Sequence, residues 1–137
     1  MRPLLFQIFL TGIAIIGLGI FSPQVLPKNP ALEFLQGAFT LGGGILICGF
    51  FALKMHWHGI IGAAVMALLG TARGAANLPD FFRFVAGDRS RSLAPLLEFA
   101  VTAASVALLA AVVRTLLRER VRRLQESREA ENRPADR

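Results

Sequence analysis

ALEFLQGAFTLGGGILICGFFAL, running from Ala31 to Leu53, is the stretch whose reading decides the fold. Apart from Glu33, Gln36 and Thr40 its residues are apolar or small, none is proline, and it is as long as the ~20 residues a helix needs to cross hydrocarbon. Glu33, Gln36, Gly37, Thr40 and Gly44 recur at three- and four-residue steps, the period of one helix face. A strand would alternate every second residue, and this stretch does not. It reads as a membrane-spanning helix with a polar and small-residue stripe.

Working outward, three similar runs appear, at about Leu4 to Phe21, Gly59 to Leu78 and Ala94 to Val113. With 54% hydrophobic residues and a mean hydropathy of +0.55, a chain of 137 residues is too apolar for a soluble domain of this size. The breaks have physical causes. Ser22, Pro23, Pro27, Lys28, Asn29 and Pro30 predict the end of the first span, because proline lacks the amide hydrogen that a continuing helix donates. Lys54 and the MHWH segment, Met55 to His58, predict a short polar turn with the single Trp57 at the water interface. Pro79 to Ser92 predicts a charged loop with Phe81, Phe82 and Phe84 lying along the headgroups, and Pro95 suits the first turn of the fourth helix. The predicted fold is therefore an all-α, integral membrane four-helix bundle over residues 1–115. Residues 116–137 form a basic cytoplasmic helical extension followed by a disordered tail from Glu126. The first run lacks a small-x-small cleavage site and reads as a retained anchor.

Orientation follows from Arg114, Arg118, Arg120, Arg122 and Arg123, which crowd the end of the fourth span. The positive-inside rule puts that end, and with four spans both termini, in the cytoplasm. Lys28, Arg83, Arg89 and Arg91 on the other side leave dual topology open. Arg118, Arg120, Arg122 and Arg123 are expected to lie near anionic headgroups.

The candidate site is Glu33, Arg73 and Glu98, with Gln36 and Asn77 on the same helix faces as the first two. A charge in hydrocarbon costs roughly 2.5 to 3.5 kcal/mol, so such residues are expected to face the interior and find partners. Threading puts the three at about the same depth, Arg73 presenting its planar fork to the two carboxylates. Either they form a structural clamp fixing helix register, or they line a binding pocket open to the outer side. The stripes Gly62, Met66, Gly70, Arg73, Asn77 and Glu98, Thr102, Ser105 are expected to face inward, and the Gly70–Gly74 pair reads as ordinary packing.

Other chemistry is thin. His56 and His58 lack the carboxylate or cysteine company a metal requires, Cys48 stands alone, and no phosphate loop or activated nucleophile is visible. No metal, cofactor or nucleic-acid partner is expected, and an enzyme less than a binding or accessory protein. A first helix with only Gln7 and Thr11 lacks the embedded glutamate of a small multidrug exporter.

The FSP end of the first span at Phe21 to Pro23, the Glu33 to Gly44 segment, the ARG element at Ala72 to Gly74 and the LLE element at Leu96 to Glu98 resemble small bacterial four-helix membrane proteins of the DoxX-like kind. The likeness covers about residues 3 to 115 and is to an uncharacterised branch. It implies a multi-pass bundle in a bacterial inner membrane, associated with redox or quinone-linked systems, and supplies no catalytic residue. The expected function is an accessory or small lipophilic-ligand bundle, for lipid or quinone. The alternatives are an oligomeric transporter of small solutes or ions and a subunit of a larger membrane complex.

Overall fold

Along the first helix, α1 (Arg2–Val25), the buried positions Leu4, Ile8, Gly12, Ile15, Gly19 and Ser22 fall at three- and four-residue steps, so one seam faces the rest of the molecule. The computed structural model describes residues 2–87 and 93–131. It continues with α2 (Lys28–Lys54), α3 (His56–Val85) and α4 (Ala94–Glu131), without strands among the described residues. Sequence neighbours pack antiparallel, α4 closes the ring against α1, and the diagonals scarcely touch. Both described chain ends and the Met55 turn lie at one end of the bundle, called proximal here. The turns at Pro27 and Gly87 lie at the other, the distal end.

All four helices are long and apolar enough to cross a membrane, and only 22% to 33% of their most apolar windows is buried inside the bundle. Phe6, Ile13, Ile20, Leu32, Ile47, Phe50, Ile61 and Leu68 are each at least half exposed. Exposed apolar surface on this scale is not tolerated in water and marks a lipid-facing belt.

Three of the sequence expectations need correction. The first span does not stop at Ser22 and Pro23; α1 runs on to Val25 with Pro23 inside it. Pro23 has no amide hydrogen for the Gly19 carbonyl, and the buried Ser22 hydroxyl donates to that carbonyl instead, at 2.7 Å, while lying 3.3 Å from the Ala31 carbonyl of α2. The MHWH turn shrinks to Met55 alone, α3 beginning at His56. Pro79 starts no loop: α3 continues to Val85, and Phe81 stacks on Phe99 of α4 with centroids 4.3 Å apart. Gly87, with φ of 103°, then turns the chain in a left-handed conformation that favours glycine. Residues 88–92 of the expected loop, with Asp88, Arg89 and Arg91, lie outside the described residues.

The tail is corrected in part. Glu126 to Glu131 is helical and continues α4, while 132–137 lie outside the described residues. This exposed stretch has no apolar face to bury. Local pairs support it: Arg122 with Glu119 at 2.9 Å and Glu126 at 3.7 Å, Arg123 with Glu119 at 3.2 Å, and the Ser127 hydroxyl donating to the Arg123 carbonyl.

Candidate binding site around Arg73

The register of α2 against α3 is fixed by small residues. Cys48 meets Gly62, Gly44 meets Met66, and Gly37 meets Arg73. Of α3 against α4, Gly70 meets Ser105 and Gly74 meets Thr102. Both glycines of the Gly70–Gly74 pair are thus used in packing within the chain, where side chains in their place would collide with α4. Carried to the distal end, these registers put Glu33 of α2 and Glu98 of α4 opposite Asn77 of α3. Arg73 lies one turn further toward the proximal end, roughly 6 Å at 1.5 Å per residue.

The matched depth read from the sequence is therefore displaced by a turn, and side-chain direction widens the gap. Cβ atoms of a helix lean toward its N-terminus. Glu33 and Glu98 lean distally, Arg73 proximally. Among the described residues the Arg73 guanidinium makes no ion pair or hydrogen bond, with Glu33 or any other group; Glu98 is engaged in an interaction of its own.

What Arg73 does instead is lie against Gly37, its Cζ 2.7 Å from where a Cβ on that glycine would stand. Two cavities meet there. One, of about 20 Å³, lies between α2, α3 and α4 and is lined by Phe34, Gly37, Leu41, Gly70, Arg73, Asn77, Glu98 and Thr102. That is room for about one water molecule. The other, of about 440 Å³, is a lateral groove between α2 and α3 lined by Glu33, Gln36, Gly37, Thr40, Met66, Leu69, Gly70 and Arg73. All five expected residues are thus gathered around Arg73, but across two cavities. Gly37 and Gly70 line both cavities; Gly37 belonged to the expected small-residue stripe, yet nothing in the sequence marked it as the floor beneath an arginine.

The expectation that the α2 stripe faces the bundle interior is corrected. Glu33, Gln36 and Thr40 are exposed, because the inward face of α2 is taken by Ala31, Phe34, Ala38, Leu41 and Ile45. The α3 and α4 stripes do meet, through Gly70, Gly74, Thr102 and Ser105, but Arg73 of the α3 stripe is exposed and does not face the bundle interior. The hydroxyls of Thr40, Thr102 and Ser105 donate to carbonyls on their own helices, at 2.8, 2.7 and 2.9 Å, which leaves Arg73, Gln36 and Asn77 as the donors free to meet a guest.

The four basic residues assigned to headgroups separate. Arg118 and Arg122 line a groove between α4 and α1, Arg120 is exposed on another side of α4, and Arg123 lies over the Trp57 ring at 5.2 Å while donating to Glu119. Hydrogen bonds from Arg122 and Arg123 hold the Glu119 carboxyl below its usual value, and Glu119 in turn raises that of Arg122. His56 and His58, two positions apart on a helix, diverge around its axis, and no group of three potential metal ligands occurs among the described residues. Comparison with family models, with curated proteins and with solved structures finds no match.

Proposed function

We propose that the chain is a small integral membrane bundle that holds a lipophilic ligand, a lipid or quinone, by its polar head in the α2–α3 groove. The carrying observation is Arg73: a guanidinium inside an apolar span, without a partner among the described residues, lining a 440 Å³ groove open at the bundle surface. Arg73 is exposed on the bundle surface, and where that surface meets lipid its donors call for acceptors, which a ligand with carbonyl, carboxylate or phosphate oxygens supplies. The volume falls within the ~300–1,000 Å³ of small-molecule sites. Met66, Leu69 and Leu41 offer an apolar bed for the remainder of such a ligand. In this reading the bundle sits in a bacterial inner membrane with both termini in the cytoplasm, the site lies toward the outer side, and the resemblance to DoxX-like proteins stands as part of the proposal. No catalytic residue is assigned.

The test is mass spectrometry of the molecules retained after purification in mild detergent. Wild type and Arg83→Leu are expected to retain the same lipophilic species, and Arg73→Leu to lose it. Equal retention by all three would overturn the reading.

A second reading is favoured by Gln36 and Thr40, which expose polar atoms on a lipid-facing helix. A homo-oligomer or a larger complex covering the α2–α3 face would shield them, with transport as the corresponding activity. Cross-linking through Thr40→Cys in membranes, with Cys48→Ala in the background, distinguishes it: specific dimers support a covered face, and monomers alone support the lipid-facing groove.

A further inference from the structure

At the proximal end, about 20 Å along α4 from the Arg73 cavity, α4 and α1 part around a second large groove of about 480 Å³. Its walls include Leu4 and Gln7 from α1 and Arg114, Thr115, Arg118 and Arg122 from α4. The arginines follow at four-residue steps, each about 40° around the helix from the last, so three guanidinium groups share one groove. Arg120 falls on another face. One carboxylate, Glu119, also lines the groove, but it already accepts from Arg122 and Arg123. Arg114 and Arg118 have no ion pair among the described residues, and the lining remains cationic.

Position selects the guest. Arg114 directly follows the apolar run of α4, so the cationic wall stands where hydrocarbon gives way to headgroups. Toward the bilayer centre the same faces turn apolar: Leu10 follows Pro3 and Gln7 on α1, and Ala107 and Ala111 precede Arg114 on α4. Leu10 and Ala107 are exposed and Ala111 is half-buried, so apolar surface leads away from the charges. A free phosphate would use the charges and leave the apolar surface bare; a phospholipid uses both. We propose that this groove is a site for one anionic phospholipid, its phosphate and head held by Arg114, Arg118 and the Gln7 carboxamide and an acyl chain laid along Leu10, Ala107 and Ala111. The site rests on the bundle being embedded in a membrane, but is independent of the ligand proposed at Arg73.

The test uses the full-length protein in detergent, titrated with short-chain phosphatidylglycerol, short-chain phosphatidylcholine and inorganic phosphate. Arg114→Gln with Arg118→Gln is compared with Arg120→Gln and Arg128→Gln, which removes the same charge from the same helix outside the groove. Phosphatidylglycerol is expected to bind wild type at least about tenfold more tightly than phosphatidylcholine, and the groove pair to lose at least about tenfold while the control pair stays within about twofold. Gln7→Leu, which leaves the charge unchanged, is expected to weaken binding as well. Equal losses in the two charge pairs would reduce the site to general electrostatics and overturn it. Displacement of the lipid by inorganic phosphate at matched concentration would identify a phosphate site and overturn the lipid assignment. A groove variant that fails to fold leaves Gln7→Leu to decide, an unchanged affinity there overturning the proposal. Arg73→Leu is expected to bind phosphatidylglycerol as wild type does, so failure at one site is separable from failure at the other.

Discussion

The Arg73 guanidinium lies against Gly37, so close that a methyl group on Gly37 would push it aside. The relation couples a backbone position on α2 to the only basic side chain within the apolar run of α3. Gly37→Ala is expected to displace the guanidinium, the flexible end of an exposed side chain, at little cost in stability but with loss of the species held at Arg73. Gly43→Ala, at the α2 glycine where a Cβ meets nothing within 4 Å, is the control and is expected to retain that species and to be neutral or slightly stabilising. Mass spectrometry of what the two variants retain checks this, and equal retention would contradict the close approach.

Ser22 and Pro23 act as a pair. Ser22→Ala leaves the Gly19 carbonyl without the hydroxyl that replaces the missing amide, an expected loss of about 1–3 kcal/mol. Pro23→Ala restores an amide at that position, so the double variant is expected to recover part of the loss. A double-mutant cycle checks it, with a coupling of about 0.5 kcal/mol or more expected and additivity counting against it.

The extension of α4 beyond Thr115 is expected to lose helix in acid. Arg122 and Arg123 hold the folded-state pKa of Glu119 below its unfolded value. A depressed carboxylate contributes stability above the unfolded pKa, near 4.3 for glutamate, and loses it as pH falls through the lower folded value. Amide exchange over Leu116 to Glu131 is expected to accelerate below about pH 4 in wild type, and Glu119→Gln to show faster exchange already at pH 7 with little further change in acid. Identical profiles would contradict the pairing.

Topology is open to direct labelling. With Cys48→Ala as background, a reagent that cannot cross the membrane is expected to reach Ala86→Cys at the distal turn in intact cells, and Ser127→Cys only after lysis. The reverse pattern would invert the assignment.

Much of the fold was legible because four apolar runs of spanning length can hardly form anything else in lipid, and backbone satisfaction leaves only helices for them. The boundaries were read too short at Pro23 and Pro79, since proline stops a helix only where nothing repairs the gap; the Ser22 hydroxyl does so at Pro23, and the Phe81–Phe99 stack accompanies the continuation past Pro79. The site residues were legible as charges out of place. Their arrangement was not. Depth was counted along the backbone, whereas the leaning of Glu33 and Glu98 away from Arg73 depends on which helix runs which way. The inward face of α2 was misread because in a membrane the core and the lipid belt are equally apolar, so Ala31, Phe34 and Ala38 cannot be told from Leu32, Leu35 and Phe39 by hydrophobicity.

The central claim is that Arg73 holds its place for a bound acceptor, and add-back to stripped protein tests it most directly. Protein freed of lipid by exhaustive detergent exchange is returned to its own extracted lipophilic fraction, and the thermal midpoint is followed for wild type and Arg73→Leu. A ligand present at a hundredfold excess over its Kd stabilises by about 2.7 kcal/mol, so a clear upward shift is expected for wild type, and for Arg73→Leu only the smaller shift that the α4–α1 groove supplies. The same shift in both proteins, or none in either, would contradict the account.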